Sequence, residues 1–188
     1  MLGKLIIFSA PSGSGKTTII RHLLKQDFNL EFSVSATSRA IREEEINGKD
    51  YYFLSAKEFK QKIENDEFLE WEEVYSGCFY GTLKSEIERI RNKGNNVVFD
   101  VDVIGGINIK EYYKDDALGI FIQPPSIKEL KKRLRGRNTE TKEVIVERIK
   151  KFDFELSLAG QFDKIIINDR LELALKEVEK ALTEFINK

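Results

Sequence analysis

The ten residues SAPSGSGKTT, at positions 9–18, stand between two apolar segments of the chain. The segment before them, Lys4–Phe8, carries Leu, Ile, Ile and Phe in succession, which is typical of a strand buried on both faces of a parallel sheet. The segment after them repeats its apolar residues at helical spacing, at Ile19, Ile20, Leu23 and Leu24. This order of strand, glycine-rich loop and helix predicts the start of an α/β domain.

The loop carries the residue types that bind phosphate groups. Gly15-Lys16-Thr17 fill the last three positions of the pattern Gly-x4-Gly-Lys-Ser/Thr, whereas Ala10 stands at its first position. Gly13 and Gly15 allow backbone N–H groups to close around an anion, and the N-terminus of the following helix favours negative charge. A plain connecting loop is the alternative, but the order of strand, loop and helix favours a phosphate-binding loop.

Further along the chain, apolar runs alternate with helical patterns. The runs rich in Ile, Val and Phe are Leu5–Phe8, Val97–Val101, Leu118–Ile122 and Ile165–Ile167. Helical spacing marks Thr82–Lys93, Thr141–Leu158 and Leu171–Ile186, and capping-box pairs mark two more helix starts, Ser55 with Glu58 and Ser126 with Glu129. We therefore predict an α/β core with a parallel sheet. Helices flank this sheet, and its strands are buried on both faces.

Two regions depart from this alternation. Residues 32–83 are richer in Ser, Thr, Tyr and Glu and contain short strand-like pieces at Phe32–Ser35 and Tyr51–Leu54, which indicates an inserted subdomain. Residues 126–150 include a polar, charged stretch that predicts a helical lid, with Gly136–Thr141 as its mobile part. The remaining segments form the predicted core of a single domain over residues 1–188; they are 1–31, 84–125 and 151–188.

The composition excludes several classes of protein. The 31 Lys and Arg residues balance 32 Asp and Glu residues, for a net charge of −1, whereas a general nucleic-acid binder would show a basic excess. The single cysteine, Cys78, allows neither an internal disulfide nor a CxxC metal site. The apolar runs are far shorter than the roughly 18 residues needed to span a membrane, and Met1–Phe8 lacks the features of a signal peptide. We expect a cytoplasmic protein that binds neither nucleic acid nor membranes.

Beyond the phosphate loop, the sequence resembles the guanylate kinases over nearly its whole length. Besides residues 9–18, the blocks that carry the resemblance are SVSATSR (33–39), NGKDYYF (47–53), FLEW (68–71), YGT (80–82), DVD (100–102), KKRLRGRNTET (131–141) and IIND (166–169). The resemblance implies a P-loop NTPase core with a GMP-binding insertion and a lid. It also implies Mg²⁺-assisted transfer of the γ-phosphate of ATP to GMP, or possibly dGMP, by a monomer or homodimer.

The resemblance assigns roles to individual positions. ATP would be bound by Ser12, Gly13, Ser14, Gly15, Lys16, Thr17, Thr18 and Asn168. GMP would be bound at its phosphate by Arg39, Arg42, Tyr51 and Tyr80, and at its guanine by Ser35, Glu70 and Thr82, with Asp102 nearby. The metal would be held by Thr17 and Asp100. Catalysis would fall to Lys16 and the lid arginines Arg137 and Arg148, because phosphoryl transfer requires mainly alignment and charge neutralisation.

The chemistry of guanine supports the assignment of Glu70. Guanine presents an N1–H and a 2-amino group side by side, and the two oxygens of a carboxylate can accept both hydrogen bonds. Adenine offers no such donor pair, so it would leave the carboxylate unsatisfied. The alternative for Glu70 is a solvated acid beside Glu72 and Glu73, and the alternative for Arg39 and Arg42 is a surface pair that balances residues 43–45.

Two other functions remain possible from the sequence. Guanylate-kinase-like modules of scaffold proteins bind peptides, and other P-loop kinases use other phosphate acceptors. Lys16, Thr17 and both lid arginines favour a catalytic protein, and Glu70 favours GMP as the acceptor. The stretch around Cys78 departs from the family because it is one residue longer after Glu70, which leaves the loop path there, and the role of Tyr80, open.

Overall fold

The computed structural model describes residues 2–136 and 142–188, so the predicted lid residue Arg137 lies outside the described residues. The strands are β1 (Leu5–Ser9), β2 (Leu30–Phe32), β3 (Ala36–Thr37), β4 (Tyr52–Phe53), β5 (Phe68–Tyr75), β6 (Cys78–Leu83), β7 (Asn96–Asp100), β8 (Ala117–Gln123) and β9 (Lys164–Ile167). The α-helices are α1 (Lys16–Leu23), α2 (Ala56–Glu64), α3 (Lys84–Asn92), α4 (Val103–Tyr113), α5 (Ile127–Gly136), α6 (Lys142–Ser157) and α7 (Leu171–Ile186). Within the described ranges, no helix combines the length and apolar character needed to cross a membrane.

The chain divides into two compact units, of which unit 2 holds the phosphate loop. Unit 2 comprises Lys4–Leu30 and Val98–Lys188. Its strands β1, β8 and β9 are parallel, with Leu5 opposite Ala117 and Ile120 opposite Lys164. They belong to a sheet whose strand order over the described residues is β2-β7-β1-β8-β9. The predicted α/β architecture with a parallel sheet is therefore confirmed.

The core of unit 2 explains why β1 has an unbroken apolar sequence. All five residues of β1 are buried, because helices cover both faces of the sheet at this central position. Phe8, Ile19 and Ile120 pack in one cluster with Val178 and Leu182 of α7. Residues 10–15 thus connect a buried strand to a helix that packs in the same core.

Unit 1 comprises the residues up to Gly3 and Glu31–Val97. Its sheet has the order β4-β3-β6-β5, in which β5 and β6 form an antiparallel hairpin. Phe59 of α2 stacks on Phe68 and Phe79, with ring centroids 4.2 and 5.4 Å away, and these rings form the core of the unit. Helix α3 belongs to this unit because Glu86 accepts hydrogen bonds from the Val34 N–H and the Tyr52 hydroxyl.

Several sequence-based boundaries agree with the structure. The apolar runs correspond to β1, β7, β8 and β9, and Leu171–Ile186 is helical as predicted. The capping box at Ser55 and Glu58 is confirmed, since each side chain accepts the backbone N–H of the other. At the second predicted box, Ser126 Oγ accepts the Glu129 N–H at 3.1 Å, whereas Glu129 Oε1 accepts from Arg133 Nε.

Other predictions were wrong. Strand β9 is not buried on both faces: Ile165 and Ile167 are about half exposed, because β9 ends the strand order and only Ile166 faces the core. The helix predicted from Thr82 begins only at Lys84 of α3, because Thr82 and Leu83 still pair with β5 in the hairpin ladder. Of the strand predicted at Phe32–Ser35, only Phe32 lies in a strand, at the end of β2, and residues 33–35 connect β2 to β3. Trp71 on β5 is 47% exposed.

Candidate active site

The phosphate loop adopts the conformation that its glycines predict. Gly13 and Gly15 have φ angles of 91° and 94°, in the left-handed region that residues with a side chain rarely adopt. Gly15 is the N-cap of α1, and Lys16 is its first residue. The hydroxyl of Ser14 is buried and has no hydrogen-bond partner among the described residues. The loop thus presents backbone N–H groups and the positive end of a helix to one place, as an anion site requires.

Lys16 has two partners at the carboxyl end of β7. Its Nζ forms an ion pair with Asp100 and donates to the Val101 carbonyl at 2.9 Å. Both charged side chains are largely shielded, with 17% and 24% of their surface exposed. The loop and the end of β7 line a cavity of about 290 Å³, which is called the phosphate cavity below. It is bounded by residues 10–17, 100–102 and Glu155. Lys16 and Asp100 therefore lie together beside the loop.

Asn168 fixes the loop from the opposite side. Its Nδ2 donates to the Ser14 carbonyl at 2.7 Å, and its own backbone N–H donates to the Gln123 carbonyl at 2.8 Å. A Cβ on Gly15 would lie 2.3 Å from Asn168 Nδ2, so the glycine is required for this close approach as well as for its φ angle. Asn168 also lines a second cavity of about 290 Å³ with Thr18 and Arg133.

Glu155 is a cavity residue that the sequence reasoning missed. It lies on α6, is 8% exposed and lines the phosphate cavity. Burial raises the pKa of this carboxyl, and the nearby positive charges of Lys151 and Lys16 oppose that effect. The available signal was its position on the apolar face of α6, three residues after the buried Phe152.

The two aspartates after β7 have different surroundings. Asp100 pairs with Lys16, whereas Asp102 is the N-cap of α4 and accepts the Gly105 N–H at 2.9 Å. Asp102 belongs to unit 2, and the other residues predicted to bind GMP all belong to unit 1. In the described part of the chain, no group of three or more His, Cys, Asp or Glu residues forms a metal cage. Oxygen donors that suit Mg²⁺ do line the phosphate cavity, at Thr17 and Asp100.

Glu70 and Thr82, the predicted guanine readers, are in contact. They lie opposite each other in the β5–β6 ladder, and Thr82 Oγ1 donates to Glu70 Oε1 at 2.6 Å. Thr82 is buried and its single hydroxyl proton is used in this bond, so here it orients the carboxylate. Ser35, half-buried, precedes β3, and its carbonyl accepts the Tyr52 N–H.

The predicted phosphate-binding residues of unit 1 cluster around Arg39. Its guanidinium lies over the Tyr51 ring at 5.1 Å, and the Tyr51 and Tyr80 rings pack edge to face at 5.9 Å. Tyr80 and Thr82 are two residues apart on β6 and therefore face the same side of the sheet. Arg42 is exposed. Cys78 begins β6 after a tight turn with Gly77 at φ 75°, and irregular pairing between Glu73 and Tyr75 absorbs the extra residue noted in the sequence.

Of the two predicted lid arginines, Arg148 lies within the described residues and Arg137 does not. Arg148 lies half-buried on α6, and its positive charge lowers the pKa of Glu155, although burial outweighs it. The predicted mobile stretch falls largely on residues 137–141, outside the described residues. The described parts of α5 and α6 pack through Leu130, Leu134 and Phe152.

Comparison with known proteins agrees with the geometry of both units. The guanylate kinase family model matches residues 2–185. The chain is 58% identical over 188 residues to the guanylate kinase of Bacteroides thetaiotaomicron, covering 100% of this chain and 92% of the relative. It is 54% identical to that of Porphyromonas gingivalis, covering 98% and 99%. The crystal structure of guanylate kinase from Anaplasma phagocytophilum is similar at a TM-score of 0.76 and 31% identity, covering 100% of this chain and 88% of that one. The match of the family model over nearly the whole chain and the identity to these relatives show that the chain belongs to the guanylate kinase family.

Proposed function

We propose a division of roles between the two units for the ATP-dependent phosphorylation of GMP that membership in this family implies. Unit 2 binds ATP through residues 12–18, with Asn168 holding the loop in shape. Unit 1 binds GMP, and the carboxylate of Glu70 recognises its guanine base. The observation that carries this proposal is the hydrogen bond from Thr82 to Glu70, because it fixes a carboxylate in the orientation needed to accept two parallel donors.

On the ATP side, Lys16 is the main electrostatic residue. Its ammonium group is held by Asp100 and by the Val101 carbonyl. The oxygens of a bound γ-phosphate carry more negative charge than the Val101 carbonyl. When ATP binds, they therefore replace some of the present contacts of the Lys16 ammonium group. The buried Ser14 hydroxyl provides a further donor inside the loop.

The oxygen donors of the phosphate cavity fit Mg²⁺, which would be held by Thr17 and Asp100. Mg²⁺ retains water and phosphate oxygens in such sites, so one or two protein oxygens suffice. When bound, it would neutralise the charge on the β- and γ-phosphates. Lys16, Arg137 and Arg148 would share this neutralisation as the chain's own cationic groups, with Asp102 close to the acceptor.

On the GMP side, Arg39, Arg42, Tyr51 and Tyr80 hold the phosphate, and Ser35, Glu70 and Thr82 hold the guanine. The aromatic rings around Arg39 support this assignment, because they limit the directions that the guanidinium can take. Residues 126–150 act as the lid and residues 32–83 as the GMP-binding subdomain. Use of dGMP, a monomeric or homodimeric state and a cytoplasmic location stay predictions.

The test of the base reader is Glu70→Gln, which replaces one acceptor oxygen by a donor. Loss of a hydrogen bond to a charged group should lower kcat/KM for GMP by about ten- to a hundredfold or more. A coupled ADP-release assay with GMP, dGMP, AMP and UMP measures it. The matched control, Glu88→Gln, changes an exposed glutamate of α3 and should leave the rates unchanged.

The same assay separates the alternatives. Equal turnover of GMP and AMP by the unaltered protein would contradict the role of Glu70. Turnover of an acceptor other than GMP would indicate a different P-loop kinase, and turnover of none would favour a binding module. An unchanged selectivity in Glu70→Gln would show that another residue reads the base.

A further inference from the structure

Arg39 is held by Glu45, an acidic residue whose role the sequence pattern does not assign. Arg39 Nη1 donates to Glu45 Oε2 at 2.6 Å, and Arg39 Nη2 donates to Glu45 Oε1 at 2.5 Å. This is a bidentate pair made through the terminal edge of the guanidinium. Both side chains are largely shielded, with 16% and 18% of their surface exposed. Solvent therefore screens this ion pair less than it screens an exposed surface pair.

Glu45 is itself fixed by the backbone. Its Oε2 also accepts the Arg42 N–H at 2.9 Å, which ties it to the position of the second predicted phosphate arginine. Hydrogen bonds from Arg39, which outweigh the opposing effect of burial, lower the pKa of Glu45 to about 2. Glu45 is consequently ionised at neutral pH and remains a strong acceptor for both Nη groups.

The remaining donors of Arg39 lie on its other edge. A guanidinium has five N–H groups. Glu45 takes one hydrogen from each Nη, and the Ala40 carbonyl takes the second Nη1 hydrogen at 2.9 Å. The Nε hydrogen and the second Nη2 hydrogen are used by neither Glu45 nor Ala40, and they form the second bidentate edge of the group. The Tyr80 hydroxyl, itself a predicted phosphate ligand, is a further hydrogen-bond contact of the guanidinium.

We propose that Glu45 is a positioning residue that holds Arg39 by its terminal edge, so that the Nε–Nη2 edge is presented to the phosphate of GMP. This rests on the proposed function, in which Arg39 binds that phosphate. The ring centroids of Tyr51 and Phe53 lie 5.1 and 5.5 Å from the guanidinium carbon of Arg39, and these rings further limit the orientations of the guanidinium plane. The conformational entropy of a long side chain is then lost on folding rather than on binding, which favours affinity.

The test compares Glu45→Gln, Arg39→Ala and the double variant. Substitution of a residue that orients a direct ligand usually lowers affinity or activity by about ten- to a hundredfold. The KM for GMP should therefore rise by about that factor in Glu45→Gln. KM for ATP should stay unchanged. In the Arg39→Ala background, Glu45→Gln should add nothing, because the group that it positions is gone. Glu44→Gln, an exposed neighbour, is the control and should behave as the unaltered protein.

A second measurement separates positioning from a loss of structure. Guanosine lacks the phosphate, so its inhibition constant against GMP should be the same in Glu45→Gln and the unaltered protein, while KM for GMP rises. Glu45→Asp, one methylene shorter, should give an intermediate KM and serves if Glu45→Gln does not fold. An unchanged KM for GMP, an equal loss of guanosine binding, or a full effect of Glu45→Gln in the Arg39→Ala background would each overturn the inference. A normal KM for GMP in Arg39→Ala would instead contradict the proposed phosphate site.

Discussion

Asn168 illustrates how one side chain can shape a loop that is remote in sequence. Its amide donates to the Ser14 carbonyl across 154 residues, and its carbonyl accepts from Arg133 Nη1 at 3.0 Å. Asn168 is 5% exposed, so the Ser14 carbonyl that it satisfies would otherwise be buried without a partner. The conformation of the loop thus depends on the far end of the chain as well as on Gly13 and Gly15.

Replacing Asn168 by alanine should therefore affect both stability and ATP binding. An unsatisfied buried carbonyl costs about 1–3 kcal/mol, so the free energy of unfolding should fall by that amount in urea titrations. KM for ATP should rise while KM for GMP changes little. Asn187→Ala, at the exposed end of α7, is the matched control. An Asn168→Ala protein with unaltered stability would show that the Ser14 carbonyl finds another donor.

At this scale, the sequence predicts what is local. Gly15 and Lys16 follow from their order between a strand and a helix. The partners of Arg39 and of Ser14 do not, because each depends on where another segment lies. Glu45 is one of three adjacent acids, and the sequence does not show which of them pairs with Arg39.

The hairpin of β5 and β6 shows why elements of unit 1 were harder to predict than those of unit 2. Residues 68–75 mix large apolar and acidic residues, since one side of this sheet packs on α2 and the other is exposed. Such a strand lacks the continuous apolar run that identified β1, β7 and β8. Its pairing is also interrupted twice, between Phe68 and Glu70 and between Glu73 and Tyr75. A pattern with a strict period of two therefore does not describe it.

Strand β2 is joined to α3 by a cluster of charges around Glu31. Glu31 accepts from Arg89 Nη1 at 2.7 Å, from Asn95 Nδ2 at 2.8 Å and from Lys93 Nζ at 3.1 Å. Partial burial alone would raise the pKa of Glu31, but these hydrogen bonds outweigh it and lower it from 4.5 to about 2. The cluster consequently links the stability of unit 1 to pH.

The lowered pKa of Glu31 stabilises the folded protein at neutral pH. A carboxyl with a lowered pKa in the folded state stabilises the protein fully above its unfolded pKa, about 4.5, and loses this effect as the pH falls towards 2. We expect the melting temperature to fall across this window, and Glu31→Gln to flatten the fall while lowering the value at pH 7. Thermal unfolding from pH 2 to 7 measures both. Glu64→Gln, an exposed acid at the end of α2, should keep the profile of the unaltered protein; an unchanged profile in Glu31→Gln would contradict the role of Glu31.

For the whole molecule, the net charge of −1 does not show that the residues of the two proposed sites belong to different units. Lys16 and the phosphate loop belong to unit 2, whereas Arg39, Glu70 and Thr82 belong to unit 1. Each unit has its own core, one formed around β1 and the other around Phe59. The balance of charges excluded a general nucleic-acid binder but could not show this distribution, because the distribution depends on the fold.

Hydrogen exchange should detect this division. GMP alone should slow amide exchange mainly in residues 33–82, and ATP with Mg²⁺ mainly in residues 9–18 and around Asn168, because a ligand stabilises the state that it binds. Mass spectrometry of peptic peptides resolves the two regions. Guanosine and AMP provide controls for the separate parts of GMP. Protection of the phosphate loop by GMP alone would contradict the division of roles.

The chain order of the two units also has a consequence during synthesis. All of unit 1 has been made once Val97 has left the ribosome, and its hairpin pairs residues close in sequence, which favours early folding. Strand β1 is among the first segments made, yet its partner β8 ends at Gln123, and Asn168 follows β9. A nascent chain would therefore form unit 1 first, and residues 9–18 would reach the conformation that Asn168 stabilises only near the end of translation.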